Sequence, residues 1–395
     1  MHEIFLSESK SFANRILIIA SFLDKKLPKF NSQADDVLDL HQSLTDLADG
    51  KTEFHIGEGG TTFRFLISRL TREHGDFKIY AKPQLLARPQ EELYEILRQL
   101  GSKIIPHDDH IQIKANGWKH LSTLNIDCEK STQFASGIML CAFGLDYDLN
   151  INLLNFRKSI TYLDMTISIL CDAGMQIKRT NATLLITKSS MVKSLPVAEP
   201  DMSSAFSIAA MGVVNHGRIL KDLPLKSIQG DSVFIDILES MNIKIEKVTS
   251  QNNDKTYDLK IHHTECSELK PIEFDLGQCP DLLPVLSSLC ALCSGTSTLN
   301  NIAHTRFKES DRVEKSRELV TKSGAHAEAT EHTMKITGPI ESHPVTAFDY
   351  DPDNDHRMAM AAAVLKAKEI PVTILDPQVV KKSYPNFWED ARIAP

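Results

Sequence analysis

Apolar residues at helical spacing run up to a Gly or Asn and then give way to alternation. The pattern recurs in EILRQLGSKI (95–104), SILCDAGMQIK (168–178), DILESMNIKIE (236–246) and ELVTKSGAHAE (318–328). The hinge residues are Gly101, Gly174, Asn242 and Gly324. A helix commonly ends on one residue at positive φ, where Gly meets no Cβ clash and Asn is the best-tolerated substitute. The alternating residues that follow read as a strand. QSLTDLADGKTEFHI (42–56) is a weaker copy. Copies about 70 to 80 residues apart are too widely spaced for a solenoid of small units. They predict a fold assembled from several strand–helix–strand modules. Four to six copies in 395 residues suit two pseudo-equivalent lobes, with a boundary near Pro200 in the loop-like SLPVAEPDMSS. Helices sharing one orientation within each lobe aim their N-termini at a common cleft. Free N–H groups and partial positive charge there favour anions.

Composition narrows the partners. Lys and Arg number 44 against 52 Asp and Glu, a net charge of −8, which argues against general binding of nucleic acid or an anionic membrane. Anion binding would need positive charge concentrated in one place. No apolar run, ILIIASFL included, reaches the roughly 18 residues needed to span a bilayer. MHEIFLSESKSF does not read as a signal peptide. Seven scattered Cys fit a reducing cytoplasm. Cys290 and Cys293 lie within the apolar LLPVLSSLCALC, where buried packing is expected. HHTEC (262–266) has metal-ligand residue types but follows an alternating strand, and a surface turn is expected.

Several short segments join basic residues to Ser, Thr or Gly at expected helix starts. SESKSFANR carries Lys10, Ser11 and Arg15; GEGGTTFRFL (57–66) is a glycine turn with Arg64 one turn in, and it lacks the GK[ST] ending of a Walker loop. ARPQEEL carries Arg88, STQF (131–134) two hydroxyls and an amide, NDHRMAM (354–360) Asp355, His356 and Arg357, and KKSYPNF (381–387) Lys381 and Lys382. Singly, each is explained by helix capping or solvation. Their recurrence at helix starts in an acidic chain points to an anion site.

In this order, SKSxxNR, GGTTFRFL, ARPQEEL, STQF, SITYLDMT, PDLLPVL, RFKESDR, NDHRMAM and KSYPNF resemble the motifs of the EPSP synthase family, from about residue 7 to 391. The resemblance implies an α/β (α+β) fold: a two-lobed, inside-out α/β barrel built from six repeated βαβαββ-type units, three per lobe. Residues 10–200 would form the N-terminal lobe and 201–395 the C-terminal lobe, which residues 1–9 can rejoin. It implies transfer of the enolpyruvyl group of phosphoenolpyruvate to the 5-hydroxyl of shikimate 3-phosphate, in the shikimate pathway of aromatic amino acid biosynthesis. No metal, cofactor, nucleic acid or membrane would take part, and the protein would be a cytoplasmic monomer.

Carried over by position, shikimate 3-phosphate would meet Lys10, Ser11, Arg15, Ser131, Thr132, Gln133, Ser159, Tyr162, Asp281, His304 and Lys308. Phosphoenolpyruvate would meet Lys10, Gly60, Arg88, Gln133, Arg312, Arg357 and Lys382. Asp281 would be the base and Glu309 the acid at the methylene carbon, with Lys10 sharing either step. Lys308 and Arg312, four apart, would share a helix face, and Asp311 would cap that helix or support the site. Asp281 would also cap the helix of DLLPVL.

Four positions depart from the family pattern. Glu8 replaces a Gly, Glu58 an Asn, Phe65 a Pro, and His304 stands where many members have Asn. Glu58 would repel the donor or pair with an Arg. UDP-N-acetylglucosamine enolpyruvyl transferases share the fold and donor but usually carry a Cys before the ARP motif, which YAKPQLLARP lacks. A binding protein that has lost turnover is the rival of another class; the presence of both Asp281 and Glu309 argues against it.

Overall fold

The computed structural model describes residues 1–23, 26–188, 194–250, 253–339 and 346–395. The chain divides into two units, Met1–Ser7 with Glu199–Pro395, and Glu8–Ala198.

Four modules share the order strand, helix, strand, helix, strand, strand. In the Glu8–Ala198 unit, one module has strands Glu53–His55, His74–Tyr80, Lys103–Pro106 and His110–Asn116, with helices Gly60–Leu70 and Glu91–Gln99. The first two strands pair in parallel, and the last two extend the sheet antiparallel. The second module repeats this with strands Thr123–Asp127, Leu149–Leu154, Ile177–Thr180 and Thr183–Ile186 and helices Gln133–Leu140 and Ile160–Asp172.

In the other unit, the short strand His2–Ile4 pairs in parallel with Arg218–Pro224 and so opens a module completed by Ile245–Thr249 and Thr256–Ile261. A further complete module runs from Glu273–Asp275 through Gly295–Asn300 to His326–Ala329 and Thr333–Gly338. Two copies are abbreviated. One keeps only the parallel pair Phe348–Tyr350 and Val372–Ile374 around helix His356–Ala367. The other is the helix pair Lys10–Ala20 and Asp35–Ala48, with no sheet of its own among the described residues.

The helix after the first strand of each complete module is buried nearly all round, which marks a helix enclosed by protein. Met202–Val214 and Leu283–Ala291 are buried at every residue, and His356–Ala367 over its first ten; these three pack on one another at the centre of their unit. Lys10–Ala20, Gly60–Leu70 and Gln133–Leu140 do the same in the Glu8–Ala198 unit. Helices inside and sheets outside is the inside-out arrangement expected from the sequence. Cys290 and Cys293 are fully buried in this packing. His262 of HHTEC sits 3.1 Å from Glu246 and His263 2.8 Å from the Val213 carbonyl. No helix among the described residues is long and apolar enough to cross a membrane.

The hinge residues all lie in the left-handed region: Gly101 at φ 107°, Gly174 at 106°, Asn242 at 66° and Gly324 at 96°. Each joins a module's second helix to its edge strand. Gly50, at φ 78°, ends Asp35–Ala48 likewise but feeds the first strand of the next module. Replacing Gly174 by Ala should cost about 1–2 kcal/mol, whereas Asn242→Gly should change stability by under about 1 kcal/mol. Urea unfolding of the two variants checks this, and equal losses would contradict the shared hinge.

Candidate functional site

Several of the candidate residues lie at the starts of the enclosed helices. In the Glu8–Ala198 unit, Lys10, Gly60 and Gln133 are the first residues of the three central helices. Lys10 Nζ lies 2.8 Å from Asp36 Oδ2, at the start of Asp35–Ala48. Asp36 in turn packs against the glycine turn: a Cβ on Gly59 would come within 2.5 Å of its carboxylate, and its carbonyl accepts from Thr62 Oγ1 at 2.8 Å. A Cβ on Gly60 would come within 2.7 Å of Arg88 Nη1, so the absent side chain is what lets the guanidinium lie against the helix start.

Arg64 is 4% exposed and joins three motifs. It donates from Nε to Gln90 Oε1 (2.9 Å), from Nη1 to Gln133 Oε1 (2.7 Å) and Ser131 Oγ (3.5 Å), and from Nη2 to the Pro89 carbonyl (3.4 Å). Gln133 then donates to Thr61 Oγ1 at 3.0 Å. Thr132 Oγ1 donates to the carbonyl of Ser159, which holds φ 53° ahead of helix Ile160–Asp172.

Arg15 is 1% exposed and faces protein on all sides: Nε to Thr166 Oγ1 (2.8 Å), Nη1 to the Ser11 carbonyl (2.6 Å), Nη2 to the Tyr162 carbonyl (3.2 Å). Burial pulls its guanidinium down to about 10. Arg15 thus ties Ser11 to Tyr162. Hydrogen bonds and packing therefore link the predicted residues of this unit through Asp36, Arg64 and Arg15.

The second set lies on the other unit. Asp281 Oδ1 is 2.7 Å from Arg312 Nη1 and 3.5 Å from Lys308 Nζ, and its Oδ2 is 2.9 Å from Arg357 Nη2. Arg312, 1% exposed, also donates to Glu309 Oε2 (2.7 Å) and Asp355 Oδ2 (2.7 Å). Asp355, fully buried, caps helix His356–Ala367 through Arg357 N (3.0 Å) and accepts from Ser310 Oγ (3.1 Å). Lys382 Nζ donates to the Asn354 carbonyl, just before that helix. His304 is buried in the turn Ala303–Phe307, on the segment that leads to Lys308 and Glu309.

Burial would push the Asp281 carboxyl up, but Arg357, Lys308 and Arg312 hold it well below the usual carboxylate range. Burial works against the Arg312 charge, and Asp355, Glu309 and Asp281 more than offset it. Asp231, 6% exposed in the turn Gly230–Val233, goes the other way. Burial and then the nearby Asp281 charge raise it to about 7, against the opposing pull of Arg357.

Two local expectations change. Lys308 and Arg312 share no helix face, because the helix begins at Arg312 and Lys308 is extended; they meet through Asp281 instead. Asp281 caps no helix; it lies in the turn Pro280–Leu282, and helix Leu283–Ala291 has Leu282 at its cap position. Glu58 reaches Lys82 Nζ at 3.2 Å. Asp311 does cap its helix, accepting from Val313 N and Glu314 N at 3.1 and 3.0 Å.

The sequence reading left Asp36 and Asp231 unnamed and gave Arg64 and Asp355 no role. The available signals were an acidic pair opening a helix in ADDVLDL, an Arg one turn into a glycine-started helix, and Asp before His-Arg at a helix start. Asp231 in SIQGD carries no local signal at all.

Residues 30–391 match the family EPSP synthase (3-phosphoshikimate 1-carboxyvinyltransferase). A 3-phosphoshikimate 1-carboxyvinyltransferase of Methanoculleus marisnigri is 32% identical, over 87% of this chain and 79% of that protein. One from Yersinia pseudotuberculosis serotype O:3 is 26% identical, over 97% and 94%. Among solved structures, EPSP synthase from Acinetobacter baumannii superposes with a TM-score of 0.75 at 20% identity, covering 99% of this chain and 94% of that one. The enolpyruvyl transferase NikO from Streptomyces tendae gives 0.69 at 15% identity, with the same coverage.

Gly60→Ala should leave the fold intact, since only the far end of Arg88 has to move, but should raise the KM of an anionic substrate on the order of tenfold. An unchanged KM would separate Arg88 from the site. Asp231 gives a pH signature. Its folded value, about 7, lies above the usual carboxylate range, so its contribution to stability is present below about pH 4 and is lost as pH rises through 7. Asp231→Asn should therefore raise the thermal midpoint at pH 8 by a few degrees, with the gap narrowing below pH 7 and closing towards pH 4. A gap independent of pH would contradict that reading.

Proposed function

The chain belongs to the EPSP synthase family, and on that basis we propose that the residues at its helix starts bind and activate the two anionic substrates of enolpyruvyl transfer. The reaction moves the enolpyruvyl group of phosphoenolpyruvate to the 5-hydroxyl of shikimate 3-phosphate and releases phosphate, a step of the shikimate pathway. The observation that carries the residue assignment is the gathering of Lys308, Arg312 and Arg357 on Asp281, with Glu309 on the same Arg312.

Ser131, Thr132 and Ser159 offer hydroxyls to the acceptor's phosphate, Tyr162 a ring face, and Lys10 and Ser11 polar groups to its hydroxyls. Asp281, Lys308 and His304 offer a carboxylate, an ammonium and an imidazole to the acceptor, and Arg15 keeps Ser11 and Tyr162 in place. The donor's carboxylate and phosphate take Arg88 with the Gly60 backbone, Gln133, Lys10, Arg312, Arg357 and Lys382. Arg suits both anions because its fork donates two parallel hydrogen bonds.

This division gives Asp281 its timing. Without donor it is surrounded by three cations and is a weak base. When donor oxygens engage Arg312 and Arg357, Asp281 loses counter-charge and its proton affinity rises. It then takes the proton of the 5-hydroxyl as the oxygen attacks C2 of phosphoenolpyruvate, and Glu309 delivers a proton to the methylene carbon. The resulting tetrahedral ketal phosphate gives a methyl proton back to Glu309 and expels phosphate, which carries away the proton held on Asp281; the enol ether is restored and both acids return to their starting states. Lys10 stabilises the charge on the bridging oxygen. Seven free cysteines support a reducing compartment.

Phosphate release should depend strictly on shikimate 3-phosphate. Asp281→Asn and Glu309→Gln should each lower kcat about 10²- to 10⁴-fold while acceptor affinity changes less than about tenfold. Phosphate release without acceptor, or equal losses of turnover and binding, would overturn the assignment.

A further inference from the structure

Lys10 opens its helix, and Asp36 holds its ammonium at 2.8 Å. What then sets Asp36? In each of the four complete modules, the second helix is preceded in the chain by a strand hydrogen-bonded into a sheet: His74–Tyr80, Leu149–Leu154, Arg218–Pro224 or Gly295–Asn300. Helix Asp35–Ala48 occupies that place in the abbreviated module, but residues 26–34 before it form no strand. Its cap position, Ala34, has no side-chain capping bond either.

The side chain of Glu8 fills this gap. Its Oε1 accepts from Asn31 Nδ2 (2.9 Å) and Asn31 N (3.2 Å), and its Oε2 accepts from Ser32 N (3.0 Å). Ser32 and Ala34 are buried at 1% and 0% exposure, so the segment is seated where the carboxylate grips it. The contacts close a ring. From Glu8 the chain runs two residues to Lys10, across the ion pair to Asp36, back four residues to Ser32, and across the hydrogen bond to Glu8.

We propose that Glu8 is a positioning residue for Lys10: by pinning residues 31–32 it fixes the start of helix Asp35–Ala48, and through Asp36 the ammonium that the substrates meet. The clamp replaces the missing sheet strand. It rests on the reading of Lys10 as a substrate contact, and the test separates the two.

The reactivity of Lys10 is read directly, by limited acetylation with acetic anhydride and mass spectrometry, with exposed Lys103 as internal reference. Glu8→Ala should speed Lys10 acetylation several-fold, as should Asp36→Ala, and leave Lys103 unchanged. It should also lower kcat/KM on the order of tenfold with the thermal midpoint within a few degrees of the parent. Glu8→Gln, whose amide oxygen still accepts one backbone N–H, should recover part of both effects. Unchanged Lys10 acetylation in Glu8→Ala, or acetylation that rises equally at Lys103, overturns the clamp. Full activity in Lys10→Ala overturns the reading of Lys10 instead, and the acetylation result still decides the clamp.

Discussion

Arg312 is a guanidinium with almost no water around it, and the arrangement of its unit depends on how that charge is held. Removing a cation from water costs several kcal/mol unless partners surround it closely. Three carboxylates do so, each from a different stretch of chain: Asp281 from the turn before one central helix, Glu309 from the segment before Arg312 itself, and Asp355 from the start of another central helix. Asp355 has a second duty, since it also caps the helix that carries Arg357. One buried charge thus fixes the directions of two acids and a neighbouring Arg at the same time. The acidic excess of the chain is compatible with anion binding because the cations are gathered in such places.

The other unit has a buried Arg of its own. Arg64 donates to the amide oxygens of Gln90 and Gln133 and to the Ser131 hydroxyl. It joins the glycine turn, the Arg88 segment and the Ser131–Gln133 start into one rigid element. A carboxylate in place of Gln90 or Gln133 would hold Arg64 as well, but would repel two anionic substrates. The carboxylate that does stand among the predicted contacts, Asp36, is spent on Lys10.

Much of this was legible along the chain. The positive-φ hinges were, because a helix end needs one residue without a Cβ penalty and only Gly and Asn meet that need cheaply. One enclosed helix was too, because the apolar run LLPVLSSLCALC reads as buried packing. Candidate binding residues were legible as a class, since helix starts attract them. Their partners were not. Asp36 lies 26 residues from Lys10, Gln133 69 from Arg64, and Asp281 76 from Arg357. Nothing local reports such pairings. The mistaken helix face of Lys308 and Arg312 has a plain cause: Asp311 is a strong capping residue, so the helix starts one residue later and Lys308 stays extended. The missing sheet of the first module likewise left no trace in the hydrophobic pattern, because its helix pair keeps a normal apolar stripe.

The sharing of Arg312 and Arg357 between Asp281 and the donor is the claim on which the mechanism turns. A crystal structure with shikimate 3-phosphate and phosphoenolpyruvate bound together tests it most directly. Donor oxygens should lie on both guanidiniums, with Asp281 withdrawn from at least one of them and about 3 Å from the 5-hydroxyl. A donor seated elsewhere, with Asp281 still holding both Arg side chains, would contradict the account.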